Sequence, residues 1–439
     1  MPPYHPDLLA RAVPRYTSYP TAAEFGDGIG PGDMADALAM VGADEPVSLY
    51  VHIPFCRDIC SYCGCNTGRA NRAQRLQSYM EALDAEIDLV ADALAGRGRI
   101  TRIAFGGGSP NALDPLAFVR LVDRLLTRFG ATSPLFSVEL DPRTLDATWM
   151  DVIGSLGMTR ASLGVQTFDP LVQQAIGRVQ PDRMIADAVE GLRRAGVTSL
   201  NFDLMYGLPG QSLMTLAESV ERSVALGADR VALFGYAHLP SLLHRQRAID
   251  AATLPATRLR FDQAALGRRL FLDAGYRAVG FDHFALPRDP MALAARAGAL
   301  HRNFQGFTDD AGPTLIGLGA SAISRFRGAI VQNEKQAGRY RMLLGSGLLP
   351  AQRGIRLTPD MRARAEVIEQ LLCHGRAAPG PALLSLAASA LEPLLRRGLV
   401  RLEGPALHLA EKAWPYARLV AASFDAYRSD SQGQFSHAV

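Results

Sequence analysis

Lysine is almost absent from this chain of 439 residues, and its scarcity excludes two classes of enzyme. Only Lys335 and Lys412 are lysines among the 46 basic residues, so the other 44 are arginines. Neither lysine lies in the Gly-Lys-Ser/Thr setting of a phosphate-binding P-loop, and neither has the setting of the Schiff-base lysine that a pyridoxal-phosphate enzyme needs. A composition so rich in arginine is typical of a GC-rich genome.

The chain also lacks strong net charge and long apolar runs. The formal net charge of +3 is too small to indicate a nucleic-acid-binding protein. No stretch approaches 18 consecutive apolar residues, so we expect no membrane span. The first residues lack the basic-then-apolar plan of a signal peptide. With the clustered thiols described next, this predicts a reducing, cytoplasmic location.

Cysteine is scarce as well, yet four of the five cysteines share one ten-residue window. Cys56, Cys60 and Cys63 lie within eight residues, and Cys65 follows, whereas Cys373 stands alone. A disulfide framework spreads its cysteines along the chain, so this clustering indicates a shared metal partner instead. Zinc prefers two separated cysteine pairs or a Cys/His set, which favours an iron–sulfur cluster here. Zinc, a redox dithiol and ordinary buried cysteines stay open as alternatives.

The spacing separates one cysteine from the other three. On a helix, Cys56, Cys60 and Cys63 would lie within roughly 60° of one another, and Cys65 would point to the opposite side. Pro54 and Gly64 bracket the segment, so a loop is equally compatible with the sequence. A cubane cluster takes four ligands, so three thiolates leave one iron open for a ligand that is not protein.

Short β-rich runs alternate with longer amphipathic stretches from Val47 onward, which predicts a parallel sheet with helical crossovers, either an open doubly wound sheet or a barrel. The predicted strands are Val47–Ile53, Arg102–Phe105, Leu135–Leu140, Arg160–Val165, Ser199–Leu204 and Arg230–Gly235. The predicted helices between them are Gln74–Ala95, Pro115–Phe129, Leu145–Leu156, Arg183–Ala195 and Leu213–Leu226.

An unusual group of residues follows each predicted strand at its carboxyl end. The groups are the cysteines, Gly106–Pro110, Glu139–Asp141, Gln166–Phe168, Asp203 and Tyr236–Pro240. Parallel α/β folds build their sites on that face of the sheet. The sequence therefore predicts one site made from these six groups.

The chain divides into three predicted regions. Residues 1–45 form an irregular N-terminal arm, 46–350 form the α/β barrel with an extension, and 351–439 form a small C-terminal α+β domain. Within the extension we expect a helix at Arg258–Ala274, a strand at Tyr276–Phe281 and a loop-rich stretch to Ser324. The order helix, helix, hairpin at the C-terminus is typical of a winged helix, but no basic stripe accompanies it, which favours a lid or scaffold.

The motif Cys-x3-Cys-x2-Cys is that of radical S-adenosylmethionine (SAM) enzymes. The flanking residues Tyr50–Cys56 and Gly64–Asn66 resemble one branch of them, the oxygen-independent coproporphyrinogen III oxidases. Further segments that resemble this family are Arg15–Pro20, Tyr236–Pro240, Gly280–Ala285 and Leu300–Gly306. The resemblance runs from about Pro14 to Arg327, with a weaker C-terminal match.

The resemblance implies a partial (β/α)6 radical SAM barrel, a 4Fe–4S cluster and two molecules of SAM. It implies that Cys56, Cys60 and Cys63 are the cluster ligands, and that Cys65 and Tyr50 act in catalysis. The residues that it assigns to the first SAM and the cluster surroundings are Tyr50, Tyr62, Gly107, Gly108, Ser109, Glu139 and Ile323. Those that it assigns to a second SAM are Gln166, Arg178, Asp203 and Ala237.

The activity implied is the oxidative decarboxylation of two propionates of coproporphyrinogen III to vinyl groups, giving protoporphyrinogen IX. The implied partners are this substrate and a low-potential electron donor such as flavodoxin or ferredoxin, with no nucleic acid and no membrane, and the protein is expected to be a monomer. Arg15 and Arg302 are candidate propionate contacts, since the guanidinium fork suits carboxylates. A haem chaperone with the same motif and a haem-modifying radical SAM enzyme are the alternatives.

Overall fold

The computed structural model describes residues 1–70 and 73–428, which form a large mixed sheet, flanking helices and a small C-terminal unit. The strands are β1 Pro46–Ile53, β2 Phe55–Cys56, β3 Gly68–Arg69, β4 Arg99–Gly107, β5 Leu135–Leu140, β6 Arg160–Gln166, β7 Ser199–Tyr206, β8 Arg230–Gly235, β9 Arg277–Val279, β10 His283–Ala285, β11 His301–Asn303, β12 Gly306–Thr308, β13 Thr314–Leu318, β14 Ile323–Arg325, β15 Ala329–Asn333, β16 Ala351–Arg356, β17 Arg376–Ala377, β18 Val400–Glu403 and β19 Ala406–Leu409.

Helices cover the outside of the sheet and build the C-terminal unit. They are α1 Pro6–Leu9, α2 Pro31–Ala39, α3 Ala73–Leu94, α4 Pro115–Arg128, α5 Ala147–Ser155, α6 Pro170–Ala175, α7 Asp182–Arg194, α8 Leu213–Ala225, α9 Thr257–Asp273, α10 Pro290–Ala297, α11 Ala337–Gly345, α12 Pro359–His374, α13 Gly380–Arg396 and α14 Ala417–Ala422. Among the helices of the described residues, none combines the length and the apolar surface needed to cross a bilayer.

The large sheet has twelve strands, and its central strands are parallel. The neighbours run in the order β16-β15-β14-β13-β1-β4-β5-β6-β7-β8-β10-β9. The pairs from β13 through β1 and β4 to β8 are all parallel. The two outer groups of strands are antiparallel. The predicted α/β class and the partial barrel are therefore confirmed.

Amphipathic sequence explains why the crossovers are helices. In α4, Asp114 accepts hydrogen bonds from the backbone N–H groups of Leu116 and Ala117 at 3.0 and 3.2 Å, which caps the helix start. Phe118 and Leu125 are both fully buried, and because they are seven residues apart they lie on the same face of the helix. β5 alternates half-buried and buried residues, as a strand covered on one face by such a helix should.

The sheet contains a seventh parallel strand that the sequence did not indicate. The expected loop-rich stretch up to Ser324 includes β13, which lies beside β1, and the short strands β10 to β12. All five residues of β13 are buried. A buried strand this short has no alternation to reveal it, so the prediction of loops was wrong here. The expected strand at Tyr276–Phe281 is the shorter β9.

Ion pairs close the amino-terminal end of the barrel. Asp309, which follows the β11–β12 hairpin, accepts a hydrogen bond from Arg102 at 2.7 Å and one from Arg160 at 2.8 Å. Arg160 is the first residue of β6. These ion pairs join the amino ends of β4 and β6 to the β11–β12 hairpin, beside a cavity of about 310 Å³.

The N-terminal arm and the C-terminal unit share one hydrophobic core. Leu8, Leu9 and Val13 are buried against α12, α13 and α14. Within the unit, β17, β19 and β18 form a three-stranded sheet beside these helices. The predicted three-part division at residues 45 and 350 stays a prediction; β16, an edge strand of the large sheet, extends to Arg356.

Candidate active site

A cavity of about 450 Å³ opens at the carboxyl ends of the parallel strands, and residues from six strand ends line it. The predicted site residues on its wall are Cys56, Cys60, Tyr62, Cys63, Cys65, Gly107, Gly108, Ser109, Glu139, Gln166, Arg178, Asp203 and Ala237. Parallel strands bring their carboxyl ends to one edge, which is why residues so far apart in sequence meet here.

The cysteines lie on a loop and not on a helix. The loop leaves β1 through Pro54, and the short parallel pair β2 and β3 closes it at both ends. The N–H of Ser61 donates to the carbonyl of Ile176 at 3.0 Å, which ties the loop to the turn after α6. Cys65 is the most exposed of the four thiols, and Cys60 is buried.

Two guanidinium groups hydrogen bond to one of the sulfur atoms. Arg143 Nη2 and Arg178 Nη1 each lie 3.4 Å from Cys60 Sγ. Asp141 lies between the two arginines and accepts from Arg143 at 2.6 Å and from Arg178 at 3.2 Å. Cationic donors of this kind stabilise negative charge on a sulfur ligand.

Cys63 and Cys65 interact directly. The backbone N–H of Cys65 donates to Cys63 Sγ at 3.4 Å. Hydrogen bonding from the Cys65 side chain, with this backbone contact, lowers the pKa of Cys63 to about 6, while the same side-chain hydrogen bond raises the pKa of Cys65 well above its usual range. Burial raises the pKa of Cys56 to about 12.

The donor set fits an iron–sulfur cluster. Four cysteines line one cavity, and cationic hydrogen-bond donors lie beside one of them, Cys60. Within residues 1–70 and 73–428, no three His, Cys, Asp or Glu side chains converge on one point as the ligands of a single ion do. A cubane takes its cysteine ligands on separate irons, so a wider spread of thiols is compatible with it.

The three glycines Gly106–Gly108 at the end of β4, here called the glycine turn, are packed too closely against neighbouring residues to carry side chains. A Cβ on Gly106 would lie 2.6 Å from the carboxylate of Glu139, and one on Gly107 would lie 2.4 Å from the ring of His52. Gly108 lies against the backbone of Phe55, at 2.4 Å from such a Cβ. Gly107 also has a φ of +106°, a conformation that glycine tolerates. These glycines are therefore required by packing, whether or not a ligand approaches them.

Ser109 has internal partners. Its hydroxyl hydrogen bonds to the side chain of Asn111 and accepts from the backbone N–H of Asp141 at 3.2 Å. Asn111 in turn donates to the carbonyl of Asp141 at 2.9 Å. This network joins the end of β4 to the end of β5, beside the glycine turn and Glu139.

Glu139 is a buried carboxylate on the cavity wall. It accepts from the N–H of Gly107 at 3.3 Å. Burial, and next the charge of Asp203, raises the pKa of Glu139 to about 7. Asp203 accepts from Ser162 at 3.1 Å and from Asn201 at 2.9 Å, and burial raises its pKa above the usual value. Two acidic groups therefore face the cavity.

Gln166 has a strained backbone. Its φ is +68° although it is not glycine, and it is buried at the end of β6. Such strain persists only where the surroundings enforce it, and it is concentrated at functional sites. Beside it, Arg178 donates to the carbonyl of Gly164 at 2.9 Å through Nε. A side chain on Gly164 would clash with both, since its Cβ would lie 2.8 Å from Arg178 and 3.1 Å from Gln166.

Gln246 joins two of the predicted residues. Its side-chain amide donates to the carbonyls of Tyr62 and Ala237 at 2.8 and 3.0 Å. Its oxygen accepts from the N–H of Leu239 at 2.6 Å. The segment after β8 is thereby fastened to the cysteine loop across the cavity.

Two predicted site residues do not line this cavity. Tyr50 lies on β1 with its hydroxyl 3.3 Å from His52 Nδ1. Burial, and next the charges of Glu139 and Cys65, raise the pKa of Tyr50 well above its usual value. Ile323 begins β14 and pairs with Gln332. Their predicted roles stay predictions.

The two arginines nominated for propionates differ in position. Arg15 is exposed, lines the cavity and donates to the carbonyl of Gly235 at 2.6 Å. Arg302 is buried, does not line the cavity, and donates to the backbone carbonyls of Tyr16 and Arg15 at 2.9 and 3.1 Å. The side chain of Arg302 therefore holds the arm, and its nomination as a propionate contact stays a prediction.

Sequence reasoning missed Arg143, Arg245 and Gln246. Arg245 lines the cavity and donates to the hydroxyl of Thr67 at 3.0 Å, beside the cysteine loop. Arg245 and Gln246 lie in a short 3-10 turn, Leu243 being its cap, with no periodic pattern. Arg143 lies only four residues after Glu139, in the segment Glu139–Arg143 at the end of a predicted strand. This position beside a predicted site residue was the one signal in the sequence that could have identified Arg143.

Comparison with known proteins gives concordant results. The radical SAM superfamily model matches residues 50–222. The chain is 42% identical over 437 residues to an oxygen-independent coproporphyrinogen III oxidase of Bradyrhizobium diazoefficiens, covering 97% of both proteins. It is 35% identical to the one of Escherichia coli, covering 97% of this chain and 96% of that protein.

A solved structure agrees with these relatives. The coproporphyrinogen III oxidase from Escherichia coli, described as a radical SAM enzyme, superposes with a TM-score of 0.89 at 35% identity. The match covers 94% of this chain and 97% of that chain.

Proposed function

This chain belongs to the family of oxygen-independent coproporphyrinogen III oxidases, and from that premise we propose that it decarboxylates two propionates of coproporphyrinogen III to vinyl groups. The product is protoporphyrinogen IX, an intermediate of anaerobic haem biosynthesis. The observation that carries the proposal is the cavity in which four cysteines, a glycine turn and two buried carboxylates meet. It is supported by identity over nearly the whole chain with named enzymes.

The cofactors are a 4Fe–4S cluster and SAM. When bound, they supply an organic radical able to take hydrogen from an unactivated carbon, which no amino-acid side chain can do. We assign the cluster to Cys56, Cys60 and Cys63. The arginines beside Cys60 support this assignment, since they offset the charge that thiolates bring into a buried site.

We assign the SAM contacts to the remaining residues of the wall. Glu139, the glycine turn and Ser109 are proposed for the first SAM, together with Tyr50, Tyr62 and Ile323. Gln166, Arg178, Asp203 and Ala237 are proposed for a second SAM. The acidic pair Glu139 and Asp203 suits the hydroxyl and ammonium groups of such ligands.

Arg15 is our candidate for gripping a propionate. It is an exposed arginine at the rim of the cavity, and its guanidinium lies 5.6 Å from the centre of the Phe234 ring. An aromatic face beside a cationic fork suits a pyrrole ring that carries a carboxylate.

We further propose a flavodoxin or ferredoxin as electron donor, a monomeric state and a cytoplasmic location. The reaction needs an electron at low potential, which such donors deliver. The reducing cytoplasm keeps clustered thiols free for iron.

The proposal is tested by anaerobic turnover. The reconstituted protein, SAM and a reductant are incubated with coproporphyrinogen III, and vinyl product and 5′-deoxyadenosine are quantified together. We expect both to accumulate in proportion. Haem transfer without decarboxylation, or a product of haem mass, would contradict the proposal.

Cysteine variants give this assay its control. Cys56→Ser, Cys60→Ser and Cys63→Ser should each lose the brown chromophore and the bound iron. Cys65→Ser should keep the chromophore and lose turnover. Equal loss of iron in all four variants would return Cys65 to the ligand set.

A further inference from the structure

A second and larger cavity lies away from the cysteines. It measures about 920 Å³ and shares no lining residue with the cluster cavity. The sheet side contributes α9, β9 and α10, and the C-terminal unit contributes α12, β17 and β19. This volume is at the upper end of the range for small-molecule sites, about 300–1,000 Å³. We call it the basic cavity.

Four arginines line the basic cavity, and Glu411 is close enough to act on the charge of one of them, Arg268. They are Arg268, Arg277, Arg296 and Arg376. Among the described residues, none of these guanidinium groups makes an ion pair or a hydrogen bond. The arginines of the cluster cavity and of the barrel base, by contrast, are paired with Asp141 and Asp309. Glu411 is the one acidic side chain on the wall of the basic cavity, so this wall carries excess positive charge.

Arg268 lacks a hydrogen-bond partner for one of its nitrogen atoms. Its Nη1 atom is buried and has no hydrogen-bond partner. Its guanidinium lies 5.1 Å from the centre of the Trp414 ring, which holds it at the wall. A buried donor without an acceptor is unfavourable, and the rest of the Arg268 side chain lines the cavity.

The rest of the wall is apolar, with two imidazoles. Phe281 and Trp414 contribute half-buried aromatic surface, and the buried Leu371 and Leu372 also line the cavity. His374 and His408 lie among them, and His408 is the cross-strand partner of Arg376. A small inorganic anion would use the arginines but not this apolar surface. The wall therefore matches a large apolar ligand with several carboxylates at its edge.

We propose that the basic cavity binds a porphyrin through its propionates, at a site separate from the one where coproporphyrinogen III reacts. The ligand class rests on the proposed function, because a tetrapyrrole pathway supplies molecules with this combination of apolar rings and carboxylates. Two sources fit: a porphyrin with four propionates, close to the substrate, and haem, with two propionates and an iron that imidazole can ligate.

The test is direct binding to the reconstituted protein under anaerobic conditions. Coproporphyrin III and haemin are titrated separately, and the change in porphyrin absorbance and in protein fluorescence gives each affinity. The paired variant R268Q/R376Q removes two of the arginines, and R277Q/R296Q removes the two others at exposed positions. R183Q/R194Q is the matched control, since these side chains are 92% and 75% exposed on α7.

We expect R268Q/R376Q and R277Q/R296Q each to weaken porphyrin binding at least tenfold, with the control unchanged. Loss for both probes identifies propionates as the common determinant, and loss for haemin alone identifies haem as the ligand. Unchanged affinity in both paired variants, or equal loss in R183Q/R194Q, overturns the proposal.

Turnover of coproporphyrinogen III separates this inference from the proposed function. Without added porphyrin, R268Q/R376Q should retain turnover within about twofold, because neither residue lines the cluster cavity. If the wild-type protein does not decarboxylate the substrate yet binds porphyrin through these arginines, the proposed function fails and the porphyrin site stands.

Discussion

At the scale of single residues, the surroundings of Cys60 determine how much negative charge its sulfur can carry. Arg143 is 11% exposed and reaches both Asp141 and Cys60 Sγ. A cluster gains one negative charge on reduction, and hydrogen bonds to its sulfur ligands favour the reduced form. Arg143 therefore raises the reduction potential of a cluster bound at this site.

We predict that Arg143→Leu makes the reduction potential more negative by roughly 40–60 mV. This shift corresponds to about 1 kcal/mol for one electron, which is the contribution of one such hydrogen bond. Arg143→Lys, which keeps the charge without the fork, should give a smaller shift. The measurement is a redox titration followed by electron paramagnetic resonance.

The control is Arg183→Leu, on the outer surface of α7, which should leave the potential unchanged. An equal reduction potential in Arg143→Leu and the wild-type protein would contradict the proposal that Arg143 hydrogen bonds to a cluster ligand at Cys60. Iron content is measured for each variant, so loss of the cluster is not mistaken for a change in its potential.

The sequence alone indicated the loop that carries the cysteines, but not the residues that hydrogen bond to this loop. The cysteine spacing, taken as a helix, predicted that Cys56, Cys60 and Cys63 face one place and that Cys65 points away. The segment is a loop, and all four cysteines line one cavity. Gln246 had no such signal, because a glutamine in an irregular turn is common in sequence. Only the fold brings it between the carbonyls of Tyr62 and Ala237.

At the scale of secondary-structure elements, the sequence predicted those elements whose hydrophobic periodicity extends over enough residues to be recognised. Long helices such as α3 and α8 and the half-buried strand β5 have clear periodicity, and their predicted bounds agree with the structure to within a residue or so. β13 is a short, fully buried strand, so its sequence has no alternation of apolar and polar residues that would indicate a strand. Tertiary pairing with β1 makes it a strand.

A buried acid connects α3 to the turn that follows β13. Glu86 accepts from the N–H of Gly319 at 2.6 Å and from Asn333 at 2.6 Å, and it hydrogen bonds to the hydroxyl of Tyr340 on α11. Burial raises the pKa of Glu86 to about 7. The unfolded chain releases this proton near pH 4.3.

This shift gives a pH dependence with a definite sign. Because the folded protein holds the proton more tightly, the stabilisation is fully present below about pH 4 and is lost as pH rises through about 7. We predict that the melting temperature falls between pH 5 and pH 8, and that Glu86→Gln flattens this slope. Calorimetry in buffers of matched ionic strength measures it.

Glu81→Gln, on the exposed side of the same helix, is the matched control and should leave the slope unchanged. A melting temperature that rises from pH 5 to pH 8 in the wild-type protein, with the same slope in Glu86→Gln, would contradict the prediction. Part of the slope should remain in Glu86→Gln, since burial also raises the pKa of Glu139 to about 7.

At the scale of the whole molecule, the N-terminal arm connects the C-terminal unit to the active site. Tyr16 donates to Asp425 at 2.8 Å, and the N–H of Ala426 donates to the hydroxyl of Tyr19 at 3.0 Å. Arg302 holds the arm backbone at Tyr16 and Arg15 from the other side. Arg15 itself reaches the cavity.

The arm therefore determines the position of Arg15 at the cavity. Two variants distinguish the effect of moving the arm from the effect of losing the contact between Arg15 and a propionate. Arg15→Gln removes the proposed propionate contact and leaves the arm in place. Arg302→Met removes the donors to the arm but keeps a side chain of similar length. Both should raise KM for coproporphyrinogen III about tenfold, since one charge-assisted hydrogen bond contributes roughly 1.5 kcal/mol or more.

Limited proteolysis distinguishes the two causes. In Arg302→Met the backbone around Arg15 loses its two hydrogen bonds, so the arm should be cleaved several times faster than in the wild-type protein. Arg15→Gln should be cleaved at the wild-type rate, because its own side chain makes one bond to Gly235 and none to the arm. The iron content of both should be normal. If Arg302→Met raised KM with no change in cleavage, Arg302 would be a direct contact of the substrate, and the arm would not be the link between the C-terminal unit and the site.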